Sequence, residues 1–183
     1  MMRNVTTYLL AAIGVILASA CTKQSIQQTY DAQEKSIDAF VTAALKTEGS
    51  YAVYNKGSVR VVVAPVAEAD SLRKDGVVSF YYALYKLSGT SVSASNLIAT
   101  NSREVAGSSW SLSDESVFDI ETVQLNESGY VEGLRNGLLG VKTGMECYIL
   151  FSGAHGFGDR ILGTIPANAA LVYHVWVNSI SNE

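Results

Sequence analysis

The sequence predicts an α+β fold in which one short helix presses on a mostly antiparallel sheet, and three observations carry that prediction. Val131, Leu134, Leu138 and Val141 recur at spacings of three and four, which lines them along one helical stripe. Gly133 and Gly137 lie four apart in the same segment. A glycine inside a helix costs about 1 kcal/mol against alanine, so two on one face imply close backbone approach to a neighbour. Val78, Phe80, Tyr82 and Leu84, and later Leu171, Tyr173, Val175 and Val177, alternate with the period of a strand. An apolar helical stripe and an apolar sheet face bury best against each other.

Composition sets the bounds. The chain has 183 residues, 48% of them apolar and 16% charged, which suits one packed domain with extensions and excludes wholesale disorder. The net charge is −4 and no Lys/Arg cluster stands out, so the electrostatic footprint of nucleic-acid binding is missing.

The chain opens as an address. Met1-Met2-Arg3-Asn4 supplies a basic start, and Leu9 to Ala18 is an apolar run too short to span a bilayer. The following Leu17-Ala18-Ser19-Ala20-Cys21 resembles a bacterial lipobox. Residues 1–20 are therefore expected to be a lipoprotein signal peptide, with Cys21 lipidated and anchored in a bilayer. Several acyl chains give stable anchoring where one gives marginal binding. The resemblance implies a periplasm-facing protein of a bacterial envelope, and Thr22 after the cysteine favours the outer membrane by the sorting rule for such lipoproteins. Cys147 would then be the one remaining thiol, which excludes an intrachain disulfide.

Residues 21–50 read as a lipid-anchored spacer and helix. Thr22 to Glu48 is a polar spacer leading into a helix, with Asp31 and Glu34 as a weak capping box and Gly49-Ser50 as the stop. Tyr30, Ile37, Phe40, Val41, Ala44 and Leu45 form its apolar stripe, which either packs on the chain's own domain or joins two copies as a homodimer. Residues 51–183 form the main domain. Val59 to Val63 is a β-branched strand before Pro65, and Val77 to Tyr85 is a strong strand. Ser88 to Asn96 is a loop, and Asn101 to Glu115 is polar and serine-rich around Trp110. Phe118 to Leu125 can form another strand. Lys142-Thr143-Gly144 makes a turn, and Glu146 to Phe151 is a strand with Cys147, Ile149 and Phe151 on one face. A glycine-rich loop from Gly153 to Gly158, an isolated Ile165-Pro166 and the closing strand complete the chain.

That order, from Val59 to Ile180, resembles the FKBP-type peptidyl-prolyl cis-trans isomerases, most specifically in its C-terminal half. The resemblance implies an FKBP-like antiparallel half-barrel wrapped around one short helix, here preceded by an N-terminal helix. It also implies an apolar pocket lined by Tyr82, Ile98, Val131, Leu134, Phe157, Ile165 and Tyr173. Several positions depart from the family pattern. Ala99 stands where an aspartate is usual, and Leu134 where a tryptophan forms the pocket floor. Phe157 stands for the tyrosine of the flap, Ile165-Pro166-Ala167 for an Ile-Pro-Pro corner, and Tyr173 for a phenylalanine. The resemblance is thus to a lipoprotein form with a partly degenerate pocket, whose apolar shape is kept and whose polar handles are thinned.

Such a pocket needs no nucleophile, metal or cofactor. The barrier to peptide rotation, ~18–20 kcal/mol, comes from resonance, and no covalent bond changes when the amide turns. An apolar cleft that favours the twisted amide binds the transition state differentially. The implied partners are proline-containing polypeptides. Two function classes follow: a slow isomerase assisting the folding of exported proteins, and a non-catalytic binding or chaperone module on an envelope lipoprotein. A purely structural lipoprotein is a third. Competing chemistries lack support. His155 and His174 have no neighbouring ligand set for zinc, and the Gly153–Gly158 loop lacks the GK[ST] ending of a phosphate loop. Cys147 reads as a buried small hydrophobe.

Overall fold

The computed structural model describes the backbone of residues 3–107 and 115–183, and side chains from residue 24 onward. Trp110 and the side chain of Cys21 lie outside the described residues. Seven strands among the described residues form one antiparallel sheet. They are β1 (Tyr51–Asn55), β2 (Ser58–Ala64), β3 (Val77–Lys86), β4 (Leu97–Thr100), β5 (Glu121–Gln124), β6 (Glu146–Phe151) and β7 (Leu171–Ser181). Their order is β1-β2-β6-β7-β3-β4, with β5 paired to the other end of β3. Three helices accompany them: α1 (Arg3–Ala44), α2 (Arg103–Ala106) and α3 (Glu132–Leu138).

The glycines of α3 do what their spacing implies. A Cβ on Gly133 would sit 2.2 Å from Phe151 Cγ, and one on Gly137 2.1 Å from Ile149 Cγ2. The helix backbone therefore rests directly on β6. Arg60, only 6% exposed, reaches across from β2 to the C-terminal end of α3. Its Nη1 donates to the carbonyls of Gly137 (2.8 Å) and Leu139 (2.6 Å). These are carbonyls that a helix end leaves unpaired, and the cation also meets the negative end of the helix dipole. Burial pulls the Arg60 guanidinium below its ordinary range, yet an arginine stays charged. Gly140 follows with φ +83°, the left-handed turn expected just beyond a helix.

Both sheet faces are covered. The inner face packs under α3 in a core that includes Val62, Val78, Phe80, Leu134, Leu138, Ile149, Phe151 and Val175. On the outer face, Ile37, Phe40 and Val41 of α1 pack on Val59, Val61, Ala83, Tyr85, Leu150 and Val172. The Phe40 ring meets Tyr148 edge-on at 5.4 Å. Two-sided burial explains why Val61, Val62 and Val63 follow one another without polar alternation.

The structure corrects two sequence expectations and adds two elements the sequence did not announce. The helix does not begin near Asp31: the stretch from Thr22 already belongs to one helix that runs through to Ala44, so Asp31 and Glu34 lie inside it and cap nothing. No glycine or proline interrupts residues 22–44, and Thr29, Ser36 and Thr42 hydroxyls bond back to carbonyls four residues earlier. The strand β1 was not anticipated. It pairs with β2 through Lys56 (φ 42°) and Gly57 (φ 76°), two successive left-handed residues that make a tight hairpin turn. The serine-rich segment holds the short helix α2, capped by Ser102, whose hydroxyl accepts from the Val105 amide. Finally, Phe118 belongs to a 3₁₀ turn, and the strand starts at Glu121.

His174 faces α1, with its ring 4.2 Å from Tyr148 and 3.9 Å from Trp176, and Nε2 lies 2.8 Å from Glu146 Oε1. Burial holds its imidazole below the ordinary range, and the Glu146 carboxylate opposes this only in part. The unfolded chain therefore binds the proton first as pH falls, so this group makes stability rise with pH up to about 6.5 and level off above.

Two outcomes follow from this packing. Gly137→Ala should lower stability by about 1–3 kcal/mol in denaturant titrations despite the better helix propensity of alanine, because Ile149 has nowhere to go. Gly129→Ala, where nothing lies within 4 Å, should be near neutral. The midpoint of thermal unfolding should fall as pH drops below about 6.5, with a shallower slope in His174→Gln.

Candidate functional site

Strand periodicity sets the floor and wall of the site. Phe80, Tyr82 and Leu84 of β3, Tyr173 and Val175 of β7, and Ile149 and Phe151 of β6 all point to the inner face, where Leu134 of α3 meets them. The Phe80 and Tyr82 rings are 6.2 Å apart, Tyr82 and Tyr173 5.7 Å, and Phe151 and Tyr173 6.0 Å. All seven residues singled out from the sequence fall in this one cluster: Tyr82, Ile98, Val131, Leu134, Phe157, Ile165 and Tyr173. They divide by exposure. Leu134 (3%), Ile165 (8%) and Tyr173 (9%) are closed off, whereas Tyr82, Ile98, Val131 and Phe157 are partly exposed and form a rim. Ala99 also packs here, across from Leu84.

Two loops deliver Phe157 and Ile165. The first begins with a 3₁₀ turn, Gly153–His155, and closes with the Gly158 amide on the Gly153 carbonyl at 3.1 Å. The second is pinched where Leu162 and Ile165 exchange both backbone hydrogen bonds, at 3.1 and 2.9 Å. The loops are tied together and to α1 by Asn168, a left-handed residue (φ 56°). Its amide donates to the Gly158 carbonyl at 2.5 Å. From α1, the Tyr30 hydroxyl donates to Asn168 Oδ1 and Gln33 Nε2 to the Asn168 carbonyl, each at 2.6 Å. Gln33 Oε1 in turn accepts from the Gly153 amide at 2.9 Å.

Polar groups that the sequence reading passed over shape the rest. Asn101, 3% exposed, accepts from the Tyr82 amide through Oδ1 (2.6 Å) and donates through Nδ2 to the Asp119 carbonyl (3.0 Å). The Thr100 hydroxyl donates to the Tyr82 carbonyl at 2.6 Å. The backbone of Tyr82 is thereby fixed on both sides. Glu121 and Tyr130 were also missed as a pair. The Tyr130 hydroxyl donates to Glu121 Oε1 at 2.5 Å, and Tyr130 packs on the same cluster. Alternation with Val123 was the available signal for Glu121, since residues two apart on a strand share a face.

The electrostatics favour neutral phenols. Burial first, and then the Glu121 carboxylate, push the Tyr82 hydroxyl up. Tyr130 is pushed up to about 12 by burial and by its bond to Glu121, and Tyr173 is raised chiefly by burial. These groups can donate hydrogen bonds but do not ionise near neutrality. Burial also raises the Cys147 thiol to about 12, which leaves it inert. Among the described residues no three His, Cys, Asp or Glu side chains group as a metal site. His155 and His174 pair separately, with Glu132 and Glu146. The arrangement is an aromatic, apolar site with the Tyr82 phenol at its rim, suited to holding an apolar ring beside a polar amide.

Comparison with known proteins agrees with this architecture. Residues 101–178 match the model of the FKBP-type peptidyl-prolyl cis-trans isomerase family, a span that is less than half of the chain. It contains Val131, Leu134, Phe157, Ile165 and Tyr173; Tyr82 and Ile98 precede it and join the cluster through the fold. The crystal structure of FkpA from Escherichia coli aligns over 99% of this chain and 73% of its own, with a TM-score of 0.56 at 16% identity. The structure of the three FKBP domains of wheat FKBP73 aligns over 72% of this chain and 49% of its own, with a TM-score of 0.54 at 13% identity. At such identities the likeness speaks for the fold. No curated protein sequence matches the chain.

The clamp from α1 yields its own expectation. Gln33→Ala removes the bonds to Gly153 and Asn168 together, and should speed amide hydrogen exchange at Gly153, Gly158 and Asn168. The loss of stability should be about 1–2 kcal/mol, that of one or two partly buried hydrogen bonds.

Proposed function

We propose that this FKBP-fold chain is a slow peptidyl-prolyl cis-trans isomerase of a bacterial envelope, assisting the folding of exported proteins. The observation that carries the reading is the convergence of seven residues, from three strands, two loops and the start and body of α3, on one aromatic cluster within that fold. In this reading the substrate's proline ring lies against Tyr82, Phe157 and Val131, above the floor of Leu134 and Tyr173. The apolar surroundings favour the twisted amide, whose charge separation is smaller than that of the planar form. The Tyr82 hydroxyl supplies a hydrogen bond without any change of protonation. A leucine floor offers less surface than an indole, and the phenylalanine at the flap lacks a donor. Each ~1.4 kcal/mol withheld from the transition state is tenfold in rate, which is why a slow enzyme is expected.

Cys21, lipidated after removal of residues 1–20, would hold the domain on the periplasmic side of the outer membrane, with α1 as the connection. Among the described residues no helix is long and apolar enough to cross a membrane. Anchoring then rests on the acyl chains.

One observation favours a second reading, a binding or chaperone module without efficient catalysis. Leu134, Ile165 and Tyr173 are at most 9% exposed, so the floor is already packed in the free chain. Measuring isomerisation of short Xaa-Pro peptides by the full chain in detergent, with no coupling protease, separates the two. An isomerase should accelerate exchange in proportion to its concentration. Tyr82→Ala, folded by circular dichroism, should lose at least about tenfold in kcat/KM, and Leu134→Trp with Phe157→Tyr should gain. A folded wild-type chain that leaves the peptides at their spontaneous rate would leave only the binding module.

A further inference from the structure

Glu121 is a carboxylate on the wrong side of the sheet. Its partner in register is Phe80, and its neighbour two residues on, Val123, is fully buried and pairs with Val78. Strand alternation therefore directs Glu121 to the inner, aromatic face. It is half-buried there, and the hydroxyl of Tyr130 holds Oε1 at 2.5 Å. Among the described residues Oε2 accepts no hydrogen bond, and no cation pairs with either oxygen. Residues 108–114 contain no basic residue either. Taking a carboxylate partly out of water without a cation is costly, and an arriving cation relieves that cost. The negative charge reaches both rim and floor, adding to the burial that raises the phenols of Tyr82 and Tyr173.

We propose that Glu121 is a specificity-determining residue, which selects prolyl segments carrying a lysine or arginine within two residues of the proline. The proposal rests on the prolyl-site reading above and deepens it. Tyr130 fixes one carboxylate oxygen and leaves the other directed to the bound chain. An ammonium or guanidinium there gains a charge-assisted hydrogen bond, whereas an acidic side chain meets like charge at short range. The overall charge of −4 adds attraction for basic chains at low ionic strength.

The test uses the full chain in detergent and matched peptides with lysine, leucine or glutamate before the proline, read both as kcat/KM for isomerisation and as Kd by calorimetry. Lysine should exceed glutamate by about tenfold, which corresponds to roughly 1.4 kcal/mol. That ratio should shrink as salt is raised. Glu121→Gln keeps an acceptor for Tyr130 and should bring the lysine-to-glutamate ratio close to one, whatever it does to the overall rate. Tyr130→Phe retains the carboxylate and should retain the ratio. Turnover with no preference in the wild type, or a preference that survives Glu121→Gln, overturns this proposal and leaves the isomerase standing. Selective binding without turnover sinks the isomerase and keeps the selectivity. A folded chain that neither binds nor turns over any peptide overturns both.

Discussion

The contact between the backbone of α3 and strand β6 is the constraint on which the remaining structure depends. Gly133 and Gly137 remove the side chains that would hold the helix off the sheet, and Phe151 and Ile149 fill the space. At that distance Leu134 and Leu138 reach the centre of the inner core, and the rings of Phe80, Tyr82 and Tyr173 close around them. A helix of seven residues has little stability of its own. It is held from outside, by close packing on one side and by the Arg60 guanidinium on its terminal carbonyls. That arginine is buried because it replaces water as the partner of those carbonyls, with a charge that complements the helix end.

The second organising feature is the helix on the opposite face. By packing on the outer side of β2, β6, β7 and β3, α1 turns a one-sided sheet into one buried on both faces. Its polar residues have a different effect. Tyr30 and Gln33 grip Asn168 and Gly153, which lie at the bases of the loops that carry Ile165 and Phe157. The N-terminal helix is thus mechanically continuous with the rim of the candidate site. Anything that pulled on α1 would act on two loops at once, through three hydrogen bonds rather than through the core.

The site balances closure against access. Its floor is closed off from solvent, while its rim keeps Tyr82, Phe157, Ile98 and Val131 partly in contact with it. Ala99 gives no carboxylate, but Glu121 brings one from another strand, and Tyr130 orients it.

Much of this was legible in the chain. Spacing alone placed Leu134 and Leu138 on a helical stripe, predicted from paired glycines that a sheet would lie against it, and put Tyr82 and Tyr173 on apolar strand faces. Those features are local or periodic, so a short window of sequence contains them. Other features were not legible. The continuous α1 was hidden because a capping pattern at Asp31 looks the same inside a helix as at its start. Strand β1 exists because β2 pairs with it, and its own residues alternate too weakly to announce it. The role of Arg60 depends on a helix about eighty residues later, and that of Gln33 on a loop some 120 residues away. Glu121 needed the register against β3 before its side could be known. What the sequence determined by itself was therefore periodicity: which residues share a face, where a helix must touch its neighbour closely, and where turns fall. What only the tertiary structure decided was pairing across long stretches of chain, because the partner of a buried charge or amide is fixed by distance in space and leaves no mark on the residues beside it.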